Sequence, residues 1–358
     1  MAGAGAFGRN HLRVYRELET AGLGVELVAA VEPDAARAAD VTAKYGIPAF
    51  SSIDRLLSAD LRLDAASVAV PTVHHHAVAS VLLDAGLDLL VEKPLAANMK
   101  EADDLIVRAD KGGRGKDKII VQPGHLERFN PAVLAVEPKL RRPMFFESHR
   151  LSVFTPRALD VDVVLDLMIH DLDIVLTFAA SPVREVRAVG LPILSPKVDI
   201  ANVRVEFESG CVANFTASRV STELVRKLRF FEPRQYVSID YARRDLLVIG
   251  VDGSIPAEIA AAIAAGEIDP AALAQLAGAA RGAGGPGPGL SFSKPEVTPG
   301  EPLRLEIESF LDSVRTRREP RVTARQGRNA LALALEIQTS MEAHAERAGL
   351  KDFFKAGL

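Results

Sequence analysis

Three sets of residues in this chain have the types and spacing to do chemistry. The first is a lysine. Leu89-Leu90-Val91-Glu92-Lys93-Pro94-Leu95 is an apolar run that ends in a carboxylate, an ammonium and a proline. Such a run reads as a buried parallel strand, which Pro94 stops. The carboxyl end of that strand faces the crevice where α/β proteins bind ligands. A lysine held there, partly out of water, titrates nearer neutrality and can move protons. The other reading is a solvated Lys–Glu pair at a strand end. The second set is Asp162, Asp166 and His170, spaced i, i+4, i+8 on an otherwise apolar helical pattern. On a helix they share one face. Asp166, one turn before His170, can orient the imidazole and support its positive charge, as a general base requires. The other reading is a hydrogen-bonded structural pair. The third set is Gly3, Gly5 and Gly8, which match G-x-G-x-x-G with Ala6 and Phe7 inside the turn. A helix pattern follows from Asn10 to Glu19, so the turn opens on a helix N-terminus whose N–H groups can hold a pyrophosphate.

Glu32 ends the next apolar run, Val25 to Val31, at the distance expected of a ribose ligand. Only Pro33 and Asp34 follow it, with no arginine adjacent, which favours NAD and makes NADP the lesser choice. His74, His75 and His76 are consecutive. Neighbours on a helix point about 100° apart and cannot share one metal well, so no metal site is expected. One of the three is expected to face the cofactor. Cys211 sits in a strand-like run and reads as inert core.

The elements that must position these residues alternate. Strand patterns at 25–31, 65–70, 89–92 and 119–121 are separated by helix patterns at 35–44, 73–85 and 98–110. That alternation makes a parallel, doubly wound sheet, here assigned to residues 1–123. After Pro123 the character changes. Gly124 to Pro131 is polar and expected to line the cleft between domains, with Arg128 and Asn130 toward substrate. A long helix pattern covers 157–178, and strand patterns at 144–154, 202–208, 211–218 and 236–240 suggest a large, mostly antiparallel sheet. Residues 124–358 thus read as an α+β domain. An Ala/Gly/Pro-rich insertion at 253–289 reads as a short helix or two and a flexible loop, and amphipathic helices follow at 303–316 and 327–347.

The chain of 358 residues carries a net charge of −4 and one cysteine. Nothing in that charge suggests nucleic acid or an anionic membrane as partner. A lone cysteine rules out an internal disulfide and fits a reducing cytoplasm. No apolar stretch is long enough to span a bilayer.

Taken together, Gly3-x-Gly5-x-x-Gly8 with His11, Pro71-Thr72 with His75, Glu92-Lys93-Pro94, and Asp166 with His170-Asp171 resemble the Gfo/Idh/MocA oxidoreductase family. The resemblance covers nearly the whole chain. It implies NAD as cofactor, with contacts from Gly3, Gly5, Ala6, Phe7, Gly8, Glu32, Pro71, Thr72, His75, Glu92 and Lys93. It implies that Lys93 contacts the reacting hydroxyl, that His170 accepts its proton and that Asp166 orients the site. It also implies a homodimer or homotetramer joined through the open sheet of the second domain. The segments Gly124–Pro131 and Leu165–Asp171 look most like bacterial members acting on nucleotide sugars, which points to UDP-N-acetylglucosamine oxidised at a ring hydroxyl. A dehydrogenase of free sugars or inositol, and a non-catalytic NAD-binding protein, are the alternatives.

One element is short. A dinucleotide fold places a strand before its glycine turn, and only Met1 and Ala2 stand there. The first strand is therefore expected to be truncated, with a gap between the strands ending near Glu32 and Val70 and a glycine turn anchored at one end only.

Overall fold

The computed structural model describes residues 1–113, 115, 118–155, 161–251 and 290–350. The insertion expected at 253–289 lies outside the described residues, as does the start of the 157–178 helix pattern.

The first domain alternates as expected: α1 (Ala6–Thr20), β1 (Ala30–Val31), α2 (Ala35–Tyr45), β2 (Ala49–Phe50), α3 (Ile53–Leu57), β3 (Ala65–Val68), α4 (His75–Asp84), β4 (Asp88–Glu92), α5 (Met99–Lys111) and β5 (Val121–Gly124). All its ladders, β1–β2, β3–β4 and β4–β5, are parallel. Leu89, Leu90 and Val91 are fully buried, because helices cover both faces of the sheet. Asn98 caps α5 by accepting the Glu101 N–H at 3.0 Å, and the Glu101 carboxylate reaches back to the Ala97 N–H.

Met1 to Gly3 form one rung between β1 and β3. Ala2 N–H donates to Ser67 C=O and Ala69 N–H to Ala2 C=O, both at 2.8 Å. On the other side Val31 N–H donates to Met1 C=O and Gly3 N–H to Val31 C=O. The glycine turn is thus anchored on both sides, not at one end as the sequence suggested. The strand expected over 25–31 shortens to Ala30–Val31. A ladder needs a neighbour, and among the described residues no strand lies on the inner side of 25–28.

The second domain carries an eight-stranded sheet: β6 (Phe145–Leu151), β7 (Val183–Leu191), β8 (Ile200–Phe207), β9 (Val212–Ser218), β10 (Val225–Glu232), β11 (Gln235–Asp240), β12 (Asp245–Val251) and β13 (Leu290–Ser293). Their order is β13-β12-β11-β10-β6-β9-β8-β7, antiparallel except for β6 beside β9. Side chains alternate buried and exposed along β6 and β8, so one face is core and one is open. After the short α6 (Pro131–Val136), helix α7 (Ile169–Ala179) and the C-terminal helix Ala324–Arg347 cover the core face with Leu172, Val175, Phe178, Leu333, Ile337 and Met341.

Helix Pro302–Thr316 packs instead on the first domain, placing Leu303, Ile307 and Phe310 against Leu12, Leu18 and Leu90. It also buries Glu306 completely, with no hydrogen-bond partner for either carboxyl oxygen among the described residues. Burial, then the nearby Glu92 and Asp173, push this carboxyl well above its usual range. The native state therefore holds a proton that the unfolded chain releases, and stability falls as pH rises from the ordinary 4.5 toward the folded value. Glu306→Gln keeps the shape without the proton. It should raise the melting temperature, and the gain should grow as pH rises above about 5. A gain that stays flat with pH would show that Glu306 is not held neutral.

Candidate active site

The glycine turn shows why its residues are glycines. Gly3 has φ +87°, and a Cβ there would lie 2.6 Å from Ala69 O. A Cβ on Gly8 would lie 2.1 Å from Gly3 O. At Gly5 the reason differs: a Cβ would meet nothing within 4 Å. Gly5 is the N-cap of α1 and offers no side chain, so the first-turn N–H groups open on free space. Those features fit the pyrophosphate of a dinucleotide.

Glu32 stands at the end of β1 and is buried. Its carboxylate accepts the Ala4 N–H at 2.9 Å, the Asp34 N–H at 3.0 Å and Arg37 Nη2 at 2.9 Å. Burial alone would raise its pKa, but Arg37 and the two N–H groups outweigh this and lower it. The sequence expectation that no arginine adjoins Glu32 is therefore corrected. Asp34 caps α2 by accepting the Arg37 N–H, and that turn folds the guanidinium back onto Glu32. Arg37 also lines, with Arg9 and Lys44, a cavity of 420 Å³ beside Ala4. Glu32→Ala should free Arg37 and narrow the NAD-over-NADP preference in a binding titration, chiefly by tightening NADP. An unchanged ratio of the two affinities would mean Glu32 does not set the choice.

A second cavity, of 340 Å³, lies between the domains. Phe7, Pro71, Thr72, His75, Glu92 and Lys93 come to it from the first domain. Leu165, Asp166 and His170 come from the second. Lys93 sits at the end of β4 with its side chain 19% exposed. Its Nζ donates to Asp166 C=O at 2.6 Å and Leu165 C=O at 3.4 Å, with the Asp166 carboxylate 3.9 Å away. Burial lowers the Lys93 pKa from its ordinary 10.5, opposed by Asp166 and Glu92. An ammonium has three N–H donors, so one remains for a ligand in the cavity.

The Asp/His helix differs from its expectation. Val164–Met168 is a π-helical turn before α7 begins at Ile169, so a regular i, i+4, i+8 stripe does not form. Asp162 instead accepts the N–H groups of Val164 and Leu165 and pairs with Gln338. Asp166 faces Lys93 rather than bonding to His170, whose buried Nδ1 has no partner among the described residues. The positions of Lys93 and Asp166 are what the π-turn supplies: it turns two backbone carbonyls toward the lysine. Burial, and then the charges of Lys93 and Arg150, hold His170 well below its usual 6.5. It is neutral at neutral pH and able to take a proton.

Two expected substrate contacts lie elsewhere. Arg128 is buried, donates to Thr177 Oγ1 at 2.6 Å and lies 3.7 Å from Asp173. Asn130 is buried, caps the helix Pro131–Val136 and donates to Glu127 and Tyr241 C=O, both at 3.0 Å. Both are tied to other residues of the second domain and neither lines the cavity. His75 does line it, but its ring is tied between Pro94 C=O at 2.8 Å and Val70 C=O at 2.9 Å. It clamps the Pro71 turn to the loop after Lys93. Among the described residues no group of three or more His, Cys, Asp or Glu side chains is placed to hold a metal, and no helix is long and apolar enough to cross a membrane. Cys211 is buried, and burial raises its thiol to about 11.

Arg150 was missed. It lies buried on β6, bound to Asp171 at 2.6 and 3.0 Å and to Glu127 at 3.1 Å, with the Tyr241 ring 5.1 Å away. Its charge disfavours protonation of both Lys93 and His170. The signal was available: Phe146, Ser148 and Arg150 alternate on the inward face of a strand, where an arginine needs a purpose.

Comparison with known proteins agrees with this geometry. Residues 1–115 match the model of an oxidoreductase family with an NAD-binding Rossmann fold, and residues 133–237 match the GFO/IDH/MocA C-terminal domain. The chain is 33% identical to UDP-N-acetylglucosamine 3-dehydrogenase of Acidithiobacillus ferrooxidans over 348 residues, 96% of this chain and 97% of that protein. A solved structure of that enzyme superposes with a TM-score of 0.79 at 32% identity, covering 96% of each chain. Inositol 2-dehydrogenase of Leifsonia xyli subsp. xyli is 31% identical over 193 residues, 52% of this chain and 54% of that protein.

Proposed function

Because this chain belongs to the Gfo/Idh/MocA oxidoreductase family, whose N-terminal domain binds NAD, we propose that it oxidises a ring hydroxyl of a nucleotide sugar, UDP-N-acetylglucosamine or a close relative. The observation that carries this reading is the meeting of Lys93 with Asp166 and His170 in one cavity beside the glycine turn. The likeness to a UDP-N-acetylglucosamine 3-dehydrogenase along almost the full chain supports the choice of sugar.

NAD, held by the glycine turn and Glu32, would supply the acceptor for the hydride that leaves the sugar carbon. The rest of the work falls to side chains. His170, neutral and enclosed, takes the hydroxyl proton as the hydride leaves. Lys93 donates to the same oxygen and stabilises the charge that gathers there. Asp166 fixes Lys93 through its carbonyl and its nearby carboxylate. Phe7 and His75 close the cofactor side. Arg150, fully paired, stays out of the proton transfer and helps keep His170 neutral.

The open face of the eight-stranded sheet carries a row of aromatic contacts, Phe145 with Phe231 at 5.5 Å and Phe231 with Tyr236 at 5.1 Å. We assign this face to a homodimer or homotetramer contact, and place the protein in the cytoplasm with its nucleotide cofactor. The test of function is a panel of UDP-sugars, free sugars and inositol, read at the NADH absorbance. Turnover of UDP-N-acetylglucosamine above the others supports the proposal. Turnover of myo-inositol or free glucose with none of UDP-sugars would reverse the choice.

A further inference from the structure

The cavity between Lys93 and His170 has a volume of 340 Å³. Ligand pockets commonly run from about 300 to about 1,000 Å³, so this one is small. A sugar ring beside a nicotinamide fills it, and the nucleotide part of a nucleotide sugar must lie outside. A diphosphate on the anomeric carbon stays within a ring's width of any ring hydroxyl. It therefore leaves the cavity close to His170, where it needs a cation.

Arg226 is placed to be that cation. It lies near the start of β10, directly opposite Arg150 on β6. Residues opposite each other on antiparallel strands turn their side chains to one face, about 5 Å apart at Cβ. Leu228 and Phe230, two and four residues on, are buried, so Arg226 lies on the core side of the sheet and not on its open face. Arg150 binds Asp171, the residue after His170. The charge of Arg226 is in turn among those that oppose protonation of His170. Unlike Arg150, Arg226 is exposed, and its side chain has no partner among the described residues. The carboxylates that hold Arg150 are already taken. Both oxygens of Asp171 accept from Arg150, and those of Glu127 accept from Arg150 and Asn130. Two like charges directly opposite each other destabilise a ladder, and an anion brought by a ligand would relieve them. Beyond Arg226 the ladder ends at Val225 opposite Leu151. Past that rung Leu224 and Val153 are 59% and 51% exposed, an apolar edge that suits a flat base.

We propose that Arg226 binds the diphosphate of the substrate and so selects a nucleotide sugar over a free sugar, an inference that rests on the substrate reading above. A guanidinium is the side chain that matches two phosphate oxygens at once. Lys93 is committed to the reacting hydroxyl and Arg150 to its carboxylates, which leaves this task to Arg226.

The probes are UDP and uridine, titrated calorimetrically into the full chain with NAD present, for the parent, Arg226→Gln and Arg226→Lys. The Arg226 side chain makes no bond within the described chain, so neither variant should change the melting temperature. Affinity for UDP should fall about tenfold or more in Arg226→Gln, the scale of a lost hydrogen bond to a charged group, and part of it should return in Arg226→Lys. Uridine, which has no phosphate, should bind all three proteins alike. In turnover of UDP-N-acetylglucosamine the loss should fall on KM far more than on kcat. UDP bound equally by the parent and Arg226→Gln, in a chain that oxidises UDP-sugars, would overturn this inference alone. A parent that binds no UDP and oxidises no UDP-sugar would overturn the substrate reading and this inference with it.

Discussion

Lys93→Ala is expected to lower turnover about a hundredfold or more, the usual scale for a positioned acid/base group. The residue ends a fully buried strand, and its Nζ is already aimed by two carbonyls of the π-turn. Removing it takes away the donor to the reacting oxygen and leaves the Leu165 and Asp166 carbonyls without a cation between the domains. The loss should fall mainly on kcat, because the interaction strengthens as negative charge develops on that oxygen. The alkaline limb of kcat/KM should begin below 10.5, since burial lowers the lysine from that value and the neutral amine is the weaker donor. A variant that retains turnover within a few-fold of the parent would return Lys93 to the solvated strand-end pair.

His170→Ala should cost as much, again about a hundredfold. Its signature differs. The residue lies in the second domain, so the affinity for NAD should survive while the proton acceptor is lost. In the parent the imidazole is held well below 6.5, so kcat/KM should stay level through neutral pH and fall only on the acid side of that value, where the ring gains its proton. The sign follows from the charge: Lys93 and Arg150 both oppose the imidazolium. In His170→Ala that acid limb should vanish. Near-parental turnover, or an acid limb at or above 6.5, would show the histidine to be structural.

The parts of the molecule legible from the sequence were those set by local physics. An unbroken apolar run stopped by proline gave β4 and Lys93 at its end. Glycines ahead of a helix pattern gave the turn, and Asn98 with Glu101 marked the start of α5. What the sequence hid depends on partners distant along the chain. Arg128 and Asn130 read as substrate ligands because they are polar, yet Thr177 and Tyr241 satisfy them inside the fold. The π-turn at Val164–Met168 inserts a residue into the helical spacing, which moves Asp166 from His170 to Lys93, and no composition marks it. Arg37 reaches Glu32 through a helix cap, three residues beyond the stretch where an arginine was sought. Glu306 falls on the buried side of an amphipathic helix, where pattern alone gives no reason for a carboxyl.

The reaction itself can be followed atom by atom. UDP-N-acetylglucosamine deuterated at every ring carbon is incubated with the protein and NAD, and the reduced nicotinamide is weighed by mass spectrometry. If Lys93 and His170 serve the oxidation of that sugar, the recovered NADH carries the deuterium. Reduced cofactor without deuterium, or none reduced at all, would contradict the account.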